Sequence, residues 1–255
     1  MSWIQRPCRR GALAQRHYRR ISPVRSEGWQ LRWVPVCSST ERLLKQWLHQ
    51  DPLLQRPRAV VARHQRRAVG QRGREWQAPT GGVWLSAALP VDSVRLDAPG
   101  AGLFGLAVAL ALAERLERAG VAVRIKWPND LLVEGRKLAG ILPALLHRGH
   151  ELRLLRCGVG LNVCNAVPAG AVALRHVLPA ATADVWTAEV LLALDASTHW
   201  LRNRDRLLVQ VRNRLWADQI DDPDGGPPWT IQGLTSAGGL QLQRGGEFKE
   251  WIRWP

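Results

Sequence analysis

The chain has 255 residues, of which 46% are apolar, so it can bury a sizeable core and is not globally disordered. Its longest uninterrupted apolar run, "LFGLAVALALA" at residues 103 to 113, is too short to span a bilayer and ends at Glu114 and Arg115. The net charge of +15 would by itself suggest a polyanion partner, but residues 1 to 76 hold 17 Lys or Arg against 4 Asp or Glu, so nearly all the excess lies in the first third.

The first 28 residues are Arg-rich and contain no apolar stretch of signal-peptide type. They resemble a transit peptide in composition. Pro7 and Gly11 argue against an amphipathic helix there, so a poorly ordered basic arm is the expectation. The four cysteines, Cys8, Cys37, Cys157 and Cys164, have no CxxC or CxxH spacing, which favours a reducing cytoplasm and no structural zinc.

From about residue 29, "LRWVPVC" reads as a strand, and a helix follows near Ser38. Ser38 with Glu41 three residues on has the form of a capping box, each side chain reaching the other's backbone N–H. "RAVVARH", about 58 to 64, is a short strand leading into a Gly/Arg loop that ends at "PTGG". "VWLSAALP" then alternates as a strand. In the loop, Gly70 and Gly73 permit close backbone approach to a ligand. Arg72 and Arg74 offer forked donors suited to phosphate, and Trp76 offers a flat stacking face. A solvated basic loop would have the same composition, and neither a Walker A nor a GxGxxG pattern is present.

"PGAGLFGLAVALALAERLERAG" reads as a core-crossing helix stopped at Gly120. In "KWPNDLLVEGRKLAGIL", residues 126 to 142, a strand turns through Pro-Asn-Asp, returns, turns again at Glu-Gly and continues. Lys137 there stands at the mouth of an apolar strand, where a lysine needs either an anion beside it or a route to solvent. "ELRLLRCGVGLNV" is a further strand, and a second long helix is expected over about 187 to 217. "DDPDGGPP", residues 221 to 228, carries the clearest linker composition, and the remaining residues read as two or three short strands too few to form their own core. The order of elements predicts an α+β fold with a mostly antiparallel β-sheet packed with helices.

Taken together, "SST" opening a helix, "GQRGREW", "KWPND", "RKLAGIL" and "GVGLN", in this order over residues 36 to 163, resemble the biotin protein ligase family. The resemblance implies a class II synthetase-like catalytic domain at 29 to 220. It also implies a shortened SH3-like β segment at 221 to 255, behind the basic arm of 1 to 28. It implies an ATP- and Mg²⁺-dependent enzyme that converts biotin to biotinyl-5'-AMP and transfers the biotinyl group to a lysine of a biotin carboxyl carrier protein, that of acetyl-CoA carboxylase, in the cytoplasm. The type implied is the monofunctional one, without an N-terminal helix-turn-helix domain. Specific DNA binding and membrane association are not expected, and a homodimer is left open.

By the same resemblance, Ser39, Thr40, Glu41, Gln65, Val69, Gly70, Gln71 and Lys137 would contact biotin, with Lys137 and Lys126 as the catalytic cations. Arg72, Gly73, Arg74, Trp76, Asn129, Asp130 and Asn162 would face the nucleotide, Trp76 against adenine and Asp130 also toward Mg²⁺. Two departures stand out. Glu41 occupies a position where the family commonly has Asn, a carboxylate close to an anionic substrate unless it turns away. Two arginines of the family's loop are replaced, which would loosen retention of the adenylate. The alternatives are a lipoate-type ligase of the same superfamily and, from a different class, a basic nucleic-acid-binding protein favoured by the charge and the thirteen tryptophans.

Overall fold

A computed structural model describes residues 9–21, 28–91 and 101–253. In chain order its elements are α1 (Arg9–Ile21), β1 (Gln30–Cys37), α2 (Thr40–Gln50), β2 (Arg58–Val69), β3 (Glu75–Ala78), β4 (Val83–Pro90), α3 (Ala101–Arg118), β5 (Arg124–Lys126), β6 (Asp130–Val133), β7 (Arg136–Arg148), β8 (Glu151–Leu161), α4 (Ala183–Arg202), α5 (Arg204–Arg212), β9 (Gln219–Ile220), β10 (Trp229–Leu234), β11 (Leu240–Arg244) and β12 (Glu247–Trp251).

The large sheet runs β1-β2-β4-β8-β7-β6-β5, with β3 paired to β2 beyond the end of β4. Only the β1–β2 pairing is parallel, as the α+β reading anticipates. Its central strands are covered on both faces. Ala59, Val61, Leu85, Ala87, Leu89, Leu155, Cys157 and Val159 point into the main core with α3 and α4, while Val60, Ala88 and Leu154 pack with Leu44 and Trp47 of α2 on the other side. This two-sided burial explains why β4 is apolar almost throughout, where a half-solvated strand would alternate.

Four sequence expectations are corrected. The helix after β1 starts at Thr40 with Ser39 at its N-cap and no side-chain cap bond, so the Ser38–Glu41 capping box does not form. The first-turn N–H of Thr40 is instead satisfied from across the fold by Gln65 Oε1 at 2.6 Å, and Glu41 is drawn to Arg156 at 2.8 Å. The Gly/Arg loop is largely a hairpin. β2 runs on to Val69, the chain turns tightly through Gln71–Gly73 with Arg72 at φ 57°, and β3 returns with Trp76 opposite Ala68.

The second long helix is two helices, because the chain leaves helical geometry at Asn203, in a polar "RNRDR" stretch with little apolar surface to bury. Finally, the basic arm is not irregular over its described part. α1 forms from Arg9 with Gly11 in its first turn and docks on α4, Tyr18 hydroxyl donating to Asp195 Oδ2 at 2.7 Å and His17 Nε2 lying 3.1 Å from Glu189 Oε1. The remainder of the arm lies outside the described residues.

Past residue 220 the chain forms a four-stranded antiparallel sheet, β12-β11-β10-β9, in which residues 221 to 228 connect two paired strands, β9 and β10. Trp229, Ile231, Leu240, Leu242 and Trp251 belong to the same cluster of buried residues as the large sheet and α3. Trp127 Nε1 donates to the Gly238 carbonyl at 2.8 Å, tying this sheet to the Trp-Pro-Asn-Asp turn. None of the helices among the described residues is long and apolar enough to cross a membrane.

Candidate active site

The site is built on the α2-facing side of the large sheet. Because side chains alternate along a strand, Arg156, Gly158 and Gly160 of β8 share that face with Ala88, Ser86 and Trp84, their partners on β4, and with Ala144, Leu142 and Gly140, their partners on β7. The two glycines and Ser86 leave a shallow floor. Above it lies a cavity of about 270 Å³ whose walls come from the start of α2, the β2–β3 hairpin and the β5–β6 turn.

One side of the cavity is a chain of buried hydroxyls and an amide. Gln65 Oε1 accepts both the Thr40 N–H and the Thr40 hydroxyl, at 2.6 and 3.0 Å. With the Thr40 hydrogen spent on Gln65, the 2.8 Å contact between Thr40 Oγ and Ser86 Oγ has Ser86 as donor. Gln65 keeps its amide nitrogen without an acceptor among the described residues, and Thr40, Gln65 and Ser86 line the cavity together.

The opposite side is the hairpin. Lys137 Nζ lies 2.7 Å from Asp130 Oδ2 and 5.0 Å from the centre of the Trp76 ring, and the other Asp130 oxygen is buried without a hydrogen-bond partner. Lys126 is in register with Asp130 across β5 and β6, so both lysines border the same turn. That turn is closed by Asn129, whose side-chain Nδ2 donates to the Ile141 carbonyl at 2.7 Å while its backbone carbonyl accepts the Ile141 N–H at 2.9 Å. Trp76 lies directly on the strand glycines. A Cβ on Gly160 would come 2.7 Å from its indole and one on Gly140 3.0 Å, so only glycine fits beneath it. Trp76 also meets Trp84 edge-on at 6.4 Å, and its Nε1 is buried without a partner.

Thirteen of the sixteen residues singled out in the sequence line this one cavity: Ser39, Thr40, Glu41, Gln65, Val69, Gly70, Gln71, Arg74, Trp76, Lys126, Asn129, Asp130 and Lys137. Arg72 and Gly73, at the tip of the hairpin turn, do not line it. Nor does Asn162, whose side-chain oxygen accepts from Asn165 Nδ2 at 3.0 Å and whose backbone joins Leu138 and Leu174.

Sequence reasoning missed Ser86, hidden in an apolar run, and Glu75, Gly140, Gly158 and Gly160 of the lining. The signal for Ser86 is its polar side chain in a strand whose neighbours are all buried. For the glycines it is their spacing of two on one strand face. Arg156 was missed altogether.

A cavity with an apolar floor, buried hydroxyl and amide groups on one flank and two lysines with a carboxylate on the other suits an acid whose carboxylate is brought to a phosphate. Residues 33–162, just over half of the chain, match the model of the Biotin/lipoate A/B protein ligase family. The chain belongs to that family.

Among curated relatives, the Bifunctional ligase/repressor BirA of Escherichia coli is 33% identical over 139 residues, 54% of this chain and 41% of that protein. The BirA of Salmonella typhimurium is 27% identical over 233 residues, 86% of this chain and 71% of the relative. A biotin--[acetyl-CoA-carboxylase] ligase of Paracoccus denitrificans is 40% identical over 116 residues, 44% of this chain and 47% of the relative. The chain therefore spans less than half the length of two of these three. Of solved structures, the biotin protein ligase of Aquifex aeolicus in complex with biotin and ATP superposes with a TM-score of 0.71 at 20% identity, covering 88% of this chain and 96% of that one. The Leishmania major biotin protein ligase in complex with biotinyl-5-AMP gives 0.59 at 20% identity, covering 90% and 100%. At that identity the likeness establishes the fold.

Proposed function

We propose that the protein is a biotin protein ligase, with residues 29 to 220 as its catalytic domain and 221 to 255 as linker and small β domain. The observation that carries this is the convergence, on one sheet-floored cavity, of the Gln65–Thr40–Ser86 hydrogen-bond chain and the Lys126/Asp130/Lys137 group.

In the first step a carboxylate oxygen of biotin attacks the α-phosphorus of ATP. The bond from that phosphorus to the oxygen bridging to the β-phosphate breaks, and pyrophosphate leaves. In the second, the amine of a carrier-domain lysine attacks the acyl carbon of biotinyl-5'-AMP, AMP leaves with the bonding pair, and the amine proton passes to solvent. Both reactants of the first step are anions, so the site must supply fixed positive charge where they meet. Lys137 holds the acyl and phosphoryl oxygens as charge shifts between them, and Lys126 neutralises phosphate. Thr40, Gln65 and Ser39 take the ring end of biotin, with Val69, Gly70 and Gln71 closing over it. Trp76, fixed on Gly140 and Gly160, offers its indole to adenine, and Arg74, with Arg72 and Gly73 beside it, caps the adenylate.

The unpartnered Asp130 oxygen suits Mg²⁺, which takes one or two carboxylates and fills its remaining positions with water and substrate phosphates. Among the described residues no cluster of three or more His, Cys, Asp or Glu competes for that role. When bound, the ion would supply charge neutralisation at the triphosphate. The acceptor is taken to be the carboxyl carrier protein of acetyl-CoA carboxylase, in the cytoplasm.

The test is transfer of labelled biotin to a carrier domain, with and without ATP, and ATP–pyrophosphate exchange with biotin or lipoate. Biotin- and ATP-dependent labelling is the expected result. Exchange with lipoate but not biotin would move the assignment to the lipoate branch, which the family as a whole includes.

A further inference from the structure

The floor of the cavity stops at Arg156. Along β8 the cavity face reads Gly160, Gly158, Arg156, so a surface open above the glycines ends at a long cationic side chain. Arg156 stands opposite Ala144, seven residues further along β7 than Lys137. That is roughly 23 Å of strand at about 3.3 Å per residue, so Arg156 and Lys137 approach the cavity from opposite ends.

The Arg156 side chain is only 15% exposed, and its Nη1 lies 2.8 Å from Glu41 Oε1. Glu41, 27% exposed, lines the cavity. The carboxylate that the family resemblance made awkward beside an anionic substrate is therefore held by a cation from the sheet, on a residue that lines the cavity. Lys45, one helical turn on, contacts the same oxygen at 3.5 Å. No donor among the described residues bonds Oε2. A carboxylate oxygen only accepts, so what it can take from a ligand is an N–H or O–H.

On the reading above, the acid's own carboxylate lies by Lys137, which sends its other end toward Glu41. Biotin ends in a cyclic urea with two N–H donors. An acyl chain of similar length without them would cover Oε2 with apolar surface and leave it unpaired, a loss that discriminates strongly at sites built for a donor.

We propose that Arg156 is a positioning residue. It fixes the Glu41 carboxylate at the ring end of the acyl cavity so that the remaining oxygen accepts an N–H of the substrate ring, and the pair selects an N–H-bearing ring over an acyl chain that lacks one. The inference rests on the ligase reading, with the substrate's carboxylate at the hairpin end.

The experiment is ATP–pyrophosphate exchange by the full chain with biotin, with biotin methylated on a ureido nitrogen, and with octanoate, for wild type, Arg156→Met, Arg156→Lys and Glu41→Ala. In Arg156→Met the KM for biotin should rise about ten-fold, the equivalent of one charge-assisted hydrogen bond, with kcat and the KM for ATP little changed. Arg156→Lys should recover most of the loss. The preference for biotin over its methylated analogue should shrink in both Arg156→Met and Glu41→Ala. Glu41 is on the first turn of a surface helix, so Glu41→Ala carries the test if Arg156→Met folds poorly. Unchanged preference in Glu41→Ala, or equal losses for biotin and octanoate in Arg156→Met, would overturn the proposal while leaving the ligase reading intact. Wild type that exchanges with none of the acids would overturn both.

Discussion

At the hairpin end of the cavity, Lys137 meets Asp130 from seven residues away in the chain; at the helix end, Glu41 meets Arg156 from 115 residues away. Both are carboxylate–cation pairs, one at each end of the cavity, yet they are opposites in construction. On the proposed function the cation of the first pair would face the ligand's negative charge with the carboxylate steadying it, and the carboxylate of the second would face the ligand with the cation doing the steadying. Removing a member of either pair leaves a partly buried charge behind, so the pairs themselves are no argument for stability. What they would fix, on that proposal, is the direction in which an acid can lie.

The sharpest way to break this comparison is at Lys137. Lys137→Ala removes a donor needed as charge moves onto the phosphoryl and acyl oxygens, and should cost about 2 to 4 kcal/mol of transition-state stabilisation, read as kcat/KM in pyrophosphate exchange. Arg156→Met, in contrast, should act on KM. If Lys137→Ala also acted through the KM for biotin alone, the two ends would not differ in kind and the catalytic assignment would fall.

That contrast also marks how far the site could be read in the chain. The Lys137–Asp130 pair lies inside one hairpin, "KWPNDLLVEGRKLAGIL", so turn signals and strand alternation suffice to bring its members together. The strand order that places β8 between β4 and β7 is set by long-range packing, and nothing local to "LLRCGVG" says that Arg156 will face Glu41. For the same reason the Ser38 capping box was misread. Local spacing supports it, but Gln65 and Arg156, both remote, supply better partners for Thr40 and Glu41. Asn162 is the converse case. It belongs to a motif by sequence, but it does not line the cavity, and its side-chain oxygen accepts from Asn165. Where an interaction closes within a hairpin or a helix the chain announces it; where it closes across a sheet, the announcement is only a residue that is oddly polar for its strand, as Ser86 and Arg156 are.

Between the two pairs lies Trp76, and a second experiment separates floor from walls. Trp76→Ala should weaken ATP by about 1 kcal/mol, the worth of an aromatic contact, and biotin by less. Gly160→Ala should act in the same direction without touching the indole itself, because the added Cβ would sit 2.7 Å from it and must push it off the strand. Fluorescence titration with ATP and with biotin reads both variants. Equal losses for the two ligands would show that Trp76 shapes the cavity as a whole and does not serve the nucleotide side.

A third, partly buried carboxylate completes the comparison, because no cation pairs with it among the described residues. Asp195, on α4, accepts from the Tyr18 hydroxyl at 2.7 Å and from Trp29 Nε1 at 3.1 Å, and burial pushes its pKa up to about 6 against an ordinary value near 3.8, the two hydrogen bonds opposing the rise. In the same region Glu189 pairs with Arg115 and lies 3.1 Å from His17 Nε2. With the folded-state pKa above the unfolded one, the folded chain binds the extra proton between about pH 4 and 6, so this group's stabilising contribution is present below about pH 4 and is lost as pH rises through 6. Asp195→Asn removes the charge and keeps an acceptor for one of the two donors. It should therefore gain about 1 kcal/mol at pH 7.5, the cost of the buried charge less the lost hydrogen bond, with no gain at pH 4. Amide exchange in α1, followed at both pH values, checks this locally: slower exchange in the variant at pH 7.5 but not at pH 4 is expected. A uniform shift at both pH values would mean that hydrogen bonding, and not the unpaired charge, governs how α1 sits on α4.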